Sequence, residues 1–293
     1  MATLQSIQRR LNGTRELQSV VKTMKTIAAV SIRQYEKAVE SLTDYNRTIE
    51  MGLHVVLKQS GLTFSEASRK QPHRLAAIVF GSDQGMCGQF NEQITNYTLE
   101  SMKSMGINQE KRMLMVVGER VHSSLEAEGQ KINSFFKTPG SVDAITPLVQ
   151  DILLKIETWR SHTGFDRVIM FHNRPKQGAS YKQATVYLLP MDREWLKKVA
   201  ARTWPSRSLP TFSMNWDKLL SALVSQYLFV SIYRAMAESL ESENASRLSS
   251  MQNAEKNIED QIDDLEAKYR HERQRSITEE LFDIVSGFEA LTK

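Results

Sequence analysis

The chain has 293 residues, is 41% hydrophobic and 25% charged, and carries a formal net charge of +4 and one cysteine. That length admits one large or two ordinary domains. The mild, interspersed charge does not imply a nucleic-acid partner, and a lone Cys87 excludes an internal disulfide and a cysteine-cluster metal site.

The opening "MATLQSIQRRL" has no apolar signal core. No uninterrupted apolar run approaches the ~18 residues that span a bilayer, so the expected setting is cytosol-facing, with no direct membrane insertion. Thr14 to Met51 contains neither glycine nor proline, the two residues that weaken or break helix interiors. Leu4, Ile7, Leu11, Val21, Ala28, Ile32, Tyr35, Val39, Leu42 and Ile49 form a heptad-like stripe along it. A second stripe, Leu17, Val20, Met24 and Ile27, predicts that this segment is covered from more than one side. A three-helix bundle using a helix from the middle of the chain would do so. So would an enclosing partner.

All seven prolines and nine of the thirteen glycines fall between Pro72 and Pro210. That interval alternates strand and helix. Strands are expected at Leu75–Phe80, Met113–Val117, Arg167–Phe171 and Thr185–Leu189, and helices at Asn91–Met105, Glu119–Glu128 and Val142–Trp159. The order predicts an α/β domain with a largely parallel sheet.

Between the first strand and helix lies "FGSDQGMCGQFNEQ", where phosphate-cradling loops occur. Its glycines, Gly81, Gly85 and Gly88, are followed by no lysine, and Asp83 is negative, so neither the Walker nor the dinucleotide pattern is met. A tight strand-to-helix turn, with Asn91 capping the helix, fits better. Cys87 reads as a packed small residue. The six histidines (His54, His73, His122, His162, His172 and His271) have no ligand spacing. No catalytic residue, cofactor or metal site is expected.

Thr211 to Ser286 again lacks glycine and proline. If helical throughout, it spans roughly 115 Å. Leu219, Leu223, Tyr227, Val230, Leu240, Leu248, Ile258 and Leu265 trace one apolar stripe, and Glu238, Glu241, Glu259, Asp263 and Asp264 read as a solvated face. Such a helix needs a partner along its length, and the N-terminal helix supplies one. The expected division is 1–60, 72–210 and 211–293.

Three segments resemble the gamma subunit of F-type ATP synthases. "SDQGMCGQFN", with Ser82, Asp83, Gly85, Cys87, Gly88, Phe90 and Asn91, resembles that family's S-D-R-G-L-C-G-G-F-N loop. "IQRRL…VVKTMKTIAA" resembles its first helix, with the K-x-M-K segment at Lys22, Met24 and Lys25. "ESENASRLSSMQNAEKN" and "ERQRSITEELFDIVSGFEAL" resemble its last. The resemblance implies an α/β fold in which the long N- and C-terminal helices form an antiparallel coiled coil beside a central Rossmann-like α/β domain. It implies a non-catalytic rotating central stalk, with the ATP chemistry on the beta subunits. Implied partners are the alpha and beta subunits, the epsilon subunit and the membrane c-ring, with no nucleic acid. The implied location is peripheral, on the cytoplasmic side of a bacterial inner membrane. Lys22, Met24, Lys25, Arg247, Arg273, Gln274 and Thr278 match positions that contact other subunits, Met24 lying near an acidic lever segment of beta.

The departures point to a divergent branch. Gln89 replaces a second glycine, Ser31 a lysine and Arg270 an asparagine. R-M-x-A-M reads Arg247-Leu-Ser-Ser-Met251, and the E-P pair before the last helix is missing. A structural coiled-coil tether and a nucleotide-binding enzyme are the alternatives from other classes. The first leaves the loop and C-terminal motifs unexplained, the second the lack of site residues.

Overall fold

A computed structural model describes residues 4–60, 74–165, 167–176, 180–204, 208 and 210–291. The chain divides into two compact units, one of residues 29–247 and one of residues 1–28 with 248–293. The boundary expected between 60 and 72 lies outside the described residues.

The 29–247 unit is built on a five-stranded sheet. Its strands are β1 (Leu75–Phe80), β2 (Arg112–Val117), β3 (Ile132–Phe136), β4 (Arg167–Pro175) and β5 (Tyr181–Leu189). They lie in the order β3-β2-β1-β4-β5. β1 pairs in parallel with β2 and β4, β2 pairs in parallel with β3, and β5 alone runs antiparallel, against β4. Every residue of β1 is buried, which is why "LAAIVF" is apolar without alternation. Its side chains still divide by parity. Ala76, Ile78 and Phe80 join a core with helix α4 (Ile145–Thr163), and Leu75, Ala77 and Val79 join one with α2 (Phe90–Ser104) and α3 (Glu119–Ala127).

The two long helices are continuous: α1 covers Leu4–Ser60 and α6 covers Trp216–Leu291. Within the 29–247 unit, Tyr35 of α1 and Ile232, Met236 and Leu240 of α6 complete the core on the α4 face. Farther along, Ile49 and Leu53 pack with Val230 and with Leu196 of α5 (Arg193–Ala201). One stretch of α6 is long and apolar enough, by length and composition, to cross a membrane.

In the other unit, Ile7 and Leu11 of α1 meet Leu265 of α6, with Ile262 and Tyr269 against them. Arg15 pairs with Glu266 at 2.7 Å, and Lys25 pairs with Glu255. Numbers rise along α1 as their partners' numbers fall along α6, so the two helices are antiparallel.

The four expected strands and three expected helices of the middle all form. β3 was missed because "INSFF" is a short edge strand with two polar residues, and α5 because nine residues give too short a period to read.

Candidate functional site

The "SDQGMCGQFN" loop leaves the C-terminal end of β1, beside the crevice between β1 and β4. In open α/β sheets ligands bind there. Here the chain itself fills the position. Ser82 donates its backbone N–H to Asn91 Oδ1 (3.0 Å), and Asn91 Nδ2 reaches back to Ser82 Oγ (2.8 Å) and Cys87 Sγ (3.4 Å). The expected role of Asn91 is therefore corrected. Gln89 stands at the cap without a side-chain capping bond, its Oε1 accepting from Gln93 Nε2 (3.2 Å) instead, and the Asn91 side chain is spent on bracing the loop.

Asp83 takes two backbone amides from neighbouring segments. Its Oδ1 accepts from Glu119 N at the start of α3 (2.9 Å), and its Oδ2 accepts from Thr138 N (3.0 Å). A helix N-terminus is a ready anion site, and this one is occupied by an internal carboxylate. Gly81 packs so closely that an added Cβ would lie 2.2 Å from Val121 Cγ2. Gly88 holds φ at 57°, the left-handed turn that glycine adopts without penalty. Phe90 is fully buried and meets Tyr181 edge-on at 5.5 Å.

Helix α6 closes the loop from above. Ser246 Oγ donates to the Cys87 carbonyl (2.6 Å), and Ser242 Oγ donates to the Asn173 carbonyl on β4 (3.1 Å). Arg247 donates to Glu243 Oε1 (2.6 Å) and leans toward the Gln84 and Gly85 carbonyls (3.4 and 3.5 Å). Burial pushes the Glu243 carboxyl up, Arg247 opposes this, and Asp83 adds to it. Burial likewise raises the Cys87 thiol, which is 1% exposed. Of the α6 residues here, sequence reading singled out Arg247 alone. Ser242, Glu243 and Ser246 were missed, although the gap in the apolar stripe between Leu240 and Leu248 marks where polar residues are buried all round.

The solvated face expected of Glu238 is also corrected. Its carboxylate accepts from His172 Nε2 (2.9 Å) and Arg174 Nε (3.0 Å). Burial pushes it up, but those two partners outweigh burial and hold it below the ordinary carboxylate range.

The remaining candidates lie on the helical unit and are not gathered into one site. Lys25 is tied to Glu255, Met24 is half-buried, and Lys22 is exposed. Arg273, Gln274 and Thr278 are exposed, with the Thr278 hydroxyl turned back to the Gln274 carbonyl (2.9 Å). Three of the four residues of the second N-terminal stripe are uncovered: Leu17, Val20 and Ile27 are 60%, 55% and 59% exposed, while Met24 is half-buried. No described residue forms the third helix of a bundle over them. Ile277, Leu281, Phe282, Ile284 and Phe288 are likewise exposed.

The sequence model of the ATP synthase family matches residues 3–291. The chain is 27% identical to the ATP synthase gamma chain of Bdellovibrio bacteriovorus over 99% of each chain. It is 29% identical to that of Anaeromyxobacter dehalogenans over 99% of this chain and 100% of the other. Its fold matches a chain in the rotor of the Euglena gracilis mitochondrial ATP synthase with a TM-score of 0.64 at 15% identity, over 94% of this chain and 98% of that one.

Proposed function

Since the chain belongs to the ATP synthase family, and its relatives are gamma chains over their full length, we propose that it is the non-catalytic rotating central stalk of an F-type ATP synthase. Its proposed partners are the alpha/beta hexamer around the coiled coil, and the epsilon subunit and c-ring at the α/β end. Residues 1–60 and 211–293 are the shaft and 72–210 the α/β domain. The location that follows is peripheral, on the cytoplasmic side of a bacterial membrane.

The observation that carries this reading is the uncovered row of Leu17, Val20 and Ile27 on a helix that is already paired along another face. Exposed apolar side chains in a row mark an interaction surface, and an enclosing hexamer covers a shaft from every side. The antiparallel pair is not threefold symmetric. Turning it therefore favours a different conformation in each surrounding catalytic subunit, and nucleotide binding there biases the shaft in return. Helices without proline, and with no glycine from residue 14 to 51 or from 211 to 286, supply the stiffness that torque transmission needs. The non-catalytic role is supported by the loop, where no lysine follows the glycines and the carboxylate of Asp83 holds the first amide of α3.

The test is Leu17→Glu with Ile27→Glu. Both positions are solvent-facing in the isolated chain, so its thermal midpoint should hold while co-assembly with alpha and beta subunits fails. Normal assembly of the double variant would sink the enclosed-shaft reading.

A further inference from the structure

The α/β unit contains a second feature, unused by the shaft role: a cavity of about 210 Å³ between β4, β5, α1, α5 and α6. Charged residues line it unevenly. Glu50 is satisfied, accepting from Asn46 Nδ2 at 3.0 Å and pairing with Arg202. Glu238 is satisfied by His172 and Arg174. Arg234 is not satisfied. It has no hydrogen bond or ion pair among the described residues, and its Nε is fully buried without a partner. The Nδ1 of His172, a side chain 1% exposed in the same lining, is also without a partner.

A buried guanidinium N–H left unmade is costly, and the fork of an arginine matches carboxylate and phosphate oxygens in pairs. Arg174, whose Nε donates to Glu238 and whose side chain is 43% exposed, adds a second cation at the rim. The volume is below the ~300 Å³ at which drug-sized pockets begin, and it suits a small ion.

We propose that this cavity is a binding site for a small oxyanion, held by Arg234 and flanked by Arg174. Inorganic phosphate and short carboxylates share the required chemistry. Isothermal titration of the full chain with inorganic phosphate, and separately with succinate, tells them apart. The expected result is saturable binding of at least one of the two, accompanied by a rise in thermal midpoint over equal ionic strength of chloride. Arg234→Gln should weaken that binding at least about tenfold, and Arg234→Lys should retain part of it. Ser231→Leu, which fills the lining without removing charge, should also abolish binding and serves if Arg234→Gln does not fold. The proposal is overturned if the wild-type chain binds neither ion saturably, if a folded Arg234→Gln binds as wild type does, or if Ser231→Leu does so where Arg234→Gln does not fold.

Discussion

Replacing Arg247 by methionine tests how the loop is held to α6. Arg247 and Glu243 are 8% and 5% exposed and meet at 2.6 Å. Removing the cation leaves a buried carboxylate whose other oxygen, Oε2, already lacks a partner, and strips a donor from the Gln84 carbonyl. Breaking one side of a buried pair costs about 3–5 kcal/mol. At about 2–4 °C per kcal/mol for a unit of this size, the midpoint falls by roughly 10 °C. Replacing both partners by methionine removes the stranded charge, so Glu243→Met with Arg247→Met should lose less than Arg247→Met alone. The loss also depends on pH. A carboxyl held above its unfolded value binds a proton in the folded chain that the unfolded chain releases, so stability falls as pH rises through that range. Without Arg247 to oppose burial, the deficit of the single variant should grow from acid to neutral pH. The assay is thermal unfolding of the full chain, of Arg247→Met and Glu243→Met singly, and of the double variant, at pH 5 and pH 8. A single variant within error of wild type, or a double variant equal to the sum of the singles, would refute the clamp.

Gly81→Ala drives a Cβ to 2.2 Å from Val121 Cγ2 on a fully buried contact. It should cost about 1–3 kcal/mol in urea unfolding, and an unchanged midpoint would deny the close approach of β1 to α3. Burial, then Glu36 and Glu238, push the Glu241 carboxyl up to about 7. Its contribution is fully present at acid pH and is lost as pH rises from about 4.5 to about 7. Glu241→Gln should therefore raise the thermal midpoint relative to wild type more at pH 8 than at pH 5, and an equal gain at both would exclude that titration. Arg273→Ala with Gln274→Ala should cut ATPase turnover or the yield of complex with alpha and beta subunits about tenfold, the equivalent of one charge-assisted hydrogen bond. Its folding should be unchanged, and wild-type turnover and yield would make these residues mere surface.

The long helices were legible because glycine and proline are absent over long intervals and the apolar period is unbroken. β1, β2 and β4 were legible because buried parallel strands read as apolar runs. β3 and α5 were too short to read, and what failed at the site has another cause: contacts that the local period does not carry. Asn91 is a residue type that suits a cap, yet it lies inside the helix that Gln89 opens, and its side chain is claimed by Ser82, nine residues back. Glu238 has the spacing of a solvated face, yet His172 on β4 reaches it. The polar run Ser242 to Arg247 gives no periodic signal because it is enclosed on several sides by a loop 160 residues earlier. Arg234 follows the same rule, since its isolation depends on which carboxylates its neighbours have already taken.

The central claim is that this chain turns inside a hexamer. The direct measurement is to co-purify it with alpha and beta subunits, immobilise the hexamer, and follow a marker fixed to the α/β domain while ATP is supplied. The account predicts stoichiometric co-purification and stepwise rotation of the marker in one direction. ATP hydrolysis with a stationary marker, or a hexamer that forms without this chain in it, would contradict it.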